Sequence, residues 1–169
     1  MRKPIFTFIL SCLAYSLFCT VPSSEMVKLR ELYYKASADK DESERFYTYL
    51  KTNPGINSNV FTAYAGMSYM IKAKYSWNPY NKLSFFNTGK DKLEEAIEKD
   101  SYNPELRFLR FCIQTNAPGF LAYSSKIKED KAMLIVCYPL LKDDDLRARI
   151  KEYVADCKYF TQEEKKIFI

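Results

Sequence analysis

Arg107, Arg110 and Gln114 recur at i, i+3 and i+7, so on a helix they share one face amid large apolar neighbours. Guanidinium groups placed in this way can fork onto a carboxylate or phosphate of a ligand. They can equally pair with Glu94, Glu105 or Asp130 and simply tie helices together. The carboxylates offer two further patterns. Asp143, Asp144 and Asp145 stand in a row, but an EF-hand calcium loop needs alternating oxygen ligands, a mid-loop glycine and a closing glutamate, and none of these follows. The run reads instead as acids at a helix N-terminus that complement the macrodipole. Glu94 and Glu98 lie four apart, the spacing of a carboxylate pair on one helix face. Lys90, Lys92 and Lys99 surround them and mark that face as solvated.

What is missing narrows the chemistry more sharply. The chain has no histidine, which removes Ser-His-Asp and Cys-His nucleophilic machinery, histidine-ligated metals and the usual neutral-pH proton shuttle. Only four glycines are present, with no GxGxxG or Walker-type run to cradle phosphates. No CxxC pair supports a thiol-redox or zinc-ribbon role. No cofactor and no metal is therefore expected, and any catalysis would fall to carboxylates, lysine, tyrosine or serine.

The elements that must position these residues read as helices. Scarce glycine argues against sandwiches and barrels, whose turns need positive φ, and no stretch alternates with period two. The spacing predicts helices over residues 25–38 (capped by Ser24), 40–52 (with Asp39 and Glu42 as a capping box) and 58–75. Residues 76–88 read as an unusually aromatic loop that covers the core or lines a groove. Further helices are expected over 90–100, 104–115 (Asn103 cap, Pro104 first), 125–138 and onward from the Asp143 cap to about 157. A short last one begins at Thr161 and Glu164. The fold class is all-α: seven or eight helices in antiparallel pairs.

At the N-terminus, Arg2 and Lys3 precede an apolar run from Ile5 to Phe18, followed by small residues. That layout is a secretory signal peptide, and its run of 14 residues falls short of the roughly 20 a membrane-spanning helix needs. Residues 1–23 are assigned to it and 24–169 to one helical domain. Cleavage fits after Ser23 or Ser16, and Cys12 and Cys19 keep a lipid anchor open as the sole membrane link. Export would leave Cys112, Cys137 and Cys157, each in an apolar helical pattern where it serves as a small hydrophobe. Without Arg2 and Lys3 the chain holds 24 basic and 21 acidic residues, too balanced for a nucleic-acid footprint.

Two resemblances follow. Ala65-Gly66-x-x-Tyr69, then Leu93-x-x-Ala96 and Tyr102-Asn103-Pro104-Glu105, resemble the helix-pair positions of a tetratricopeptide repeat, over about forty-five residues. The resemblance implies helix pairs with a curved face. The stretches NPYNKLSFFNTGKDKLEEAIEKD and YNPELRFLRFCIQTNAPGFLAYSSKIKEDKAMLI are similar to exported helical proteins of Bacteroidetes-type bacteria, a group with no assigned activity. This likeness implies location and architecture but no mechanism.

These readings lead to an exported, periplasmic or secreted, non-catalytic binding or assembly module that meets a protein partner in the envelope. Its groove is expected to be lined by Tyr64, Trp77, Tyr80, Arg107, Arg110, Gln114 and Tyr123. The alternative is a histidine-free enzyme that acts on a glycan or peptide through carboxylates, which requires two of them converging with at least one pKa raised.

Overall fold

The computed structural model describes residues 24–53 and 58–169. The expected signal peptide and the Pro54-Gly55 break lie outside the described residues. Among those described there are eight α-helices and no strand: α1 (Ser24–Ala38), α2 (Lys40–Thr52), α3 (Asn59–Tyr75), α4 (Pro79–Lys99), α5 (Pro104–Asn116), α6 (Ile127–Cys137), α7 (Asp144–Asp156) and α8 (Gln162–Lys165). Three 3-10 turns, at Gly119–Leu121, Tyr138–Leu140 and Lys166–Phe168, complete the order. No helix among the described residues is long and apolar enough to cross a membrane.

Local chemistry explains most helix starts. The Asn103 side chain accepts from the backbone N–H of Glu105 and Leu106, with Pro104 in the first turn where its missing N–H costs nothing. Asp143 accepts from the Leu146 N–H, and Thr161 and Glu164 form a reciprocal capping box. Asp39 caps α2, but Glu42 turns to Arg45 at 2.8 Å instead of completing a box. Ser24 is the first residue of α1 and not its cap.

The aromatic stretch expected as a loop over 76–88 is helix. Asn78 accepts from the N–H of Tyr80 and Asn81, Pro79 takes the first turn, and α4 then runs unbroken through Gly89 to Lys99. Asn78-Pro79 is the same start signal as Asn103-Pro104. Gly89 read as a helix boundary because glycine is a weak helix former. Its reason is tertiary: α4 crosses α3 there, and a Cβ built on Gly66 would stand 2.6 Å from the Gly89 carbonyl oxygen. Backbone approaches that close exclude every side chain.

α3 is buried on almost every side, through Phe61, Tyr64, Met67, Met70 and Ile71 among others, because α1, α2, α4 and α5 surround it. Two hydrophobic clusters result. The first joins α1 to α4 and takes Leu106 and Leu109 from α5. The second joins α6, α7 and the C-terminal turns and takes Phe108 and Phe111 from the other side of the same helix. The molecule is thus two helical layers that share α5.

Candidate functional site

The two layers do not close against each other along their whole length. Between them lies a cleft of about 1470 Å³ that opens to solvent. Its first-layer wall carries Tyr64, Ile71 and Phe86, and its second-layer wall carries Phe108, Cys112 and Tyr153. Tyr153 stands edge-on to Phe108 with ring centres 5.6 Å apart, and its hydroxyl bridges Thr115 Oγ1 at 2.6 Å and Asn116 Nδ2 at 2.7 Å. Burial pushes the Tyr153 phenol up to about 12 and the Cys112 thiol well above its ordinary value. Both groups stay protonated at neutral pH and add no charge to the wall. Cys112, Cys137 and Cys157 are all free thiols.

Charges hold the cleft open at its base. Arg30 of α1, only 2% exposed, grips Glu105 of α5 with two bonds of 2.7 Å. It also reaches Asp143 Oδ2 at 2.7 Å and Asp145 Oδ2 at 3.0 Å at the start of α7. Glu105 accepts in addition from the Tyr64 hydroxyl at 2.8 Å. Burial opposes the charge on Arg30, but Glu105 and the two aspartates outweigh it and hold its pKa above the ordinary guanidinium value. The acid run at 143–145 therefore serves a second purpose beside the helix dipole. It anchors the far layer to α1. Nearer the mouth, the exposed Tyr34 hydroxyl donates to Glu152 Oε1 across the gap at 3.0 Å.

The expected groove residues do not share one groove. Tyr64 alone lines the cleft. Trp77 and Tyr80 project from the α3–α4 turn into solvent, 99% and 85% exposed. Arg107, Arg110, Gln114 and Tyr123 belong to a polar seam in which α5 meets α4 and α6. There Arg110 clamps Asp130 with two bonds of 2.7 Å and reaches Glu94 at 2.7 Å. Asp130 is fully buried. Arg107 binds Glu129 at 2.6 Å, Asp130 at 3.0 Å and the Ser101 carbonyl at 2.8 Å. Gln114 accepts from the Lys126 N–H at 3.0 Å, and the Tyr123 hydroxyl donates to Glu94. The arginine forks are filled by the chain's own carboxylates. The pairing that competed with ligand capture is the one present.

The residue that pattern reading passed over is Arg30; Glu105, expected as a partner for Arg107 or Arg110, pairs with Arg30 instead. The signal was available: position 30 sits within the stripe of Leu29, Tyr33 and Ala36, where a charge must be buried with a partner. No family model matches this chain, and no curated protein or solved structure matches it.

Proposed function

We propose that the protein is an exported, non-catalytic binding module that receives an apolar helical segment of an envelope protein in the cleft between its layers. The observation that carries this reading is the size and lining of the cleft. Small-molecule pockets run to about 300–1000 Å³, and 1470 Å³ exceeds that range. Three turns of an amphipathic helix, about 10 Å across and 16 Å long, occupy roughly 1300 Å³. Such a helix would lay its apolar stripe on the aromatic walls. Its polar face would meet a mixed rim of Lys82 and Lys158 with Glu152 and Asp156.

Export rests on the N-terminal basic, apolar and small-residue order of residues 1–23. A tetratricopeptide-like register over α3, α4 and the start of α5 belongs to the same proposal. Two facts favour binding over carboxylate catalysis. A general acid needs a raised carboxyl pKa, whereas Glu129 is drawn down to about 2 by Lys126 and Arg107, and Asp145 is drawn down by Arg149 and Arg30 against the effect of its own burial. Glu94 is spoken for by Arg110, and Glu98 is exposed.

The test places a photo-reactive amino acid at Asn87, an exposed lining residue, in cells that make the protein. A discrete protein adduct is expected, and it should vanish when Ile113→Trp fills the cleft while helix content stays unchanged. No protein adduct, or one that survives the filled cleft, overturns the reading.

A further inference from the structure

A second feature begins among the residues that line the cleft and extends beyond them. Large apolar side chains stand almost free at one edge of the molecule: Trp77 at 99%, Tyr80 at 85%, Leu83 at 49% and Phe120 at 82% exposure. Two segments supply them, the start of α4 with its preceding turn and the 3-10 turn at Gly119–Leu121. The fold brings the segments together, since Phe86 of α4 stands edge-on to Tyr123 with ring centres 5.9 Å apart. Leu83 and Phe120 both line the cleft. A tryptophan with essentially its whole surface in water is costly to hydration and gives nothing to the core.

The backbone helps to present this edge. Ala122 takes φ 48 and ψ 33, the left-handed region a non-glycine residue seldom enters. The reversal there sends Leu121 and Tyr123 into the first core and leaves Phe120 outside.

Charge marks what the edge faces. From Arg45 to Lys90 the chain holds no Asp or Glu, and from Leu106 to Lys128 again none. Both exposed segments fall inside these acid-free stretches. Lys74 bonds the neutral Ser37 carbonyl at 2.8 Å, and among the described residues neither Lys74 nor Lys82 is paired with a carboxylate. The acids that line the cleft are Glu152, held by Tyr34, and Asp156 on α7. Indole and phenol rings beside unpaired lysines are the side chains that settle at a bilayer interface, rings at the headgroup level and ammonium groups among anionic lipids.

We propose that the Trp77, Tyr80, Leu83 and Phe120 edge, flanked by Lys74 and Lys82, is an interfacial anchor that docks this protein on an anionic lipid surface. Trp77 and Tyr80 lie outside the cleft, whereas Leu83, Phe120, Lys74 and Lys82 also line it.

Trp77 is the only tryptophan in the chain, so the native protein carries its own reporter. The full chain is titrated with vesicles of phosphatidylcholine alone and with vesicles containing one-third phosphatidylglycerol. Cosedimentation and Trp77 emission are followed in low and high salt. A blue shift is expected on the anionic vesicles, weakened by salt as the lysine attraction is screened. The variant Leu83→Ser with Phe120→Ser keeps the reporter and should bind on the order of tenfold or more weakly, having lost two apolar contacts. An unshifted Trp77 at saturating anionic lipid overturns the proposal. Undiminished binding by the double variant also overturns it and assigns the affinity to residues 1–23.

Discussion

In the first layer α3 and α4 come together until their backbones touch at Gly66 and Gly89. In the second layer no helix exceeds 13 residues, and side chains reach across to backbone carbonyls instead. Arg147 donates to the carbonyls of Tyr138 at 2.7 Å and Leu141 at 3.1 Å, the Tyr138 hydroxyl to that of Phe168 at 3.2 Å, and Lys165 to that of Ala155 at 2.6 Å. The difference follows from length. A long helix satisfies most of its own carbonyls and can be held by close packing alone. A short one leaves a large share unpaired, and cations must cap them. The first layer adds to its close packing a single such stitch from lysine, Lys74 to the Ser37 carbonyl, whereas the second relies on polar stitching over an aromatic centre. Buried charge joins the two.

The largest effect is expected at the join between the layers. Arg30→Met leaves Glu105 buried without its partner and releases Asp143, so denaturant unfolding should show a loss of about 3–5 kcal/mol. A loss below about 1 kcal/mol would mean that the layers hold together by apolar contact alone.

Next comes the aromatic centre of the second layer. The Phe168 ring lies 4.7 Å from Tyr138 and 5.2 Å from Phe160, and the residue is buried. Phe168→Ala should cost about 3 kcal/mol, with amide exchange rising in α6 and α7 before α3 and α4. The smallest effect is expected in the first layer. Gly66→Ala forces α3 and α4 apart, because its Cβ meets backbone that cannot yield, and should cost about 1–3 kcal/mol. Exchange should then rise first in α3 and α4. The same exchange pattern for both variants would show that the layers unfold as one unit and that the distinction has no energetic weight.

Much of the fold was legible residue by residue. Asn103-Pro104, Asp143 and Thr161 with Glu164 announce helix starts through bonds that span two or three residues, so their meaning survives without the rest of the chain. The same logic at Asn78-Pro79 was masked by four aromatic residues and by Gly89, which read as loop. The candidate site was far less legible. Arg107, Arg110 and Gln114 were placed on one face of α5 correctly, but a face says nothing about what it meets. The arginines meet Asp130 and Glu94, Gln114 meets the Lys126 N–H, and the opposite side of the same helix opens on the cleft.

The amino-acid order by itself determined the all-helical class, most helix ends, the absence of histidine and phosphate-loop chemistry, and a cationic, acid-free middle. These are properties of composition and of neighbours along the chain. Tertiary structure alone decided that Arg30 and Glu105, 75 residues apart, are one buried pair, and that Gly89 is a crossing point. It also decided that α4 and the turn after α5 come together, through Phe86 and Tyr123. The physical reason is that burial, ion pairing and close backbone approach depend on distances in space, and a chain of helices can set those distances in many ways until its layers have met.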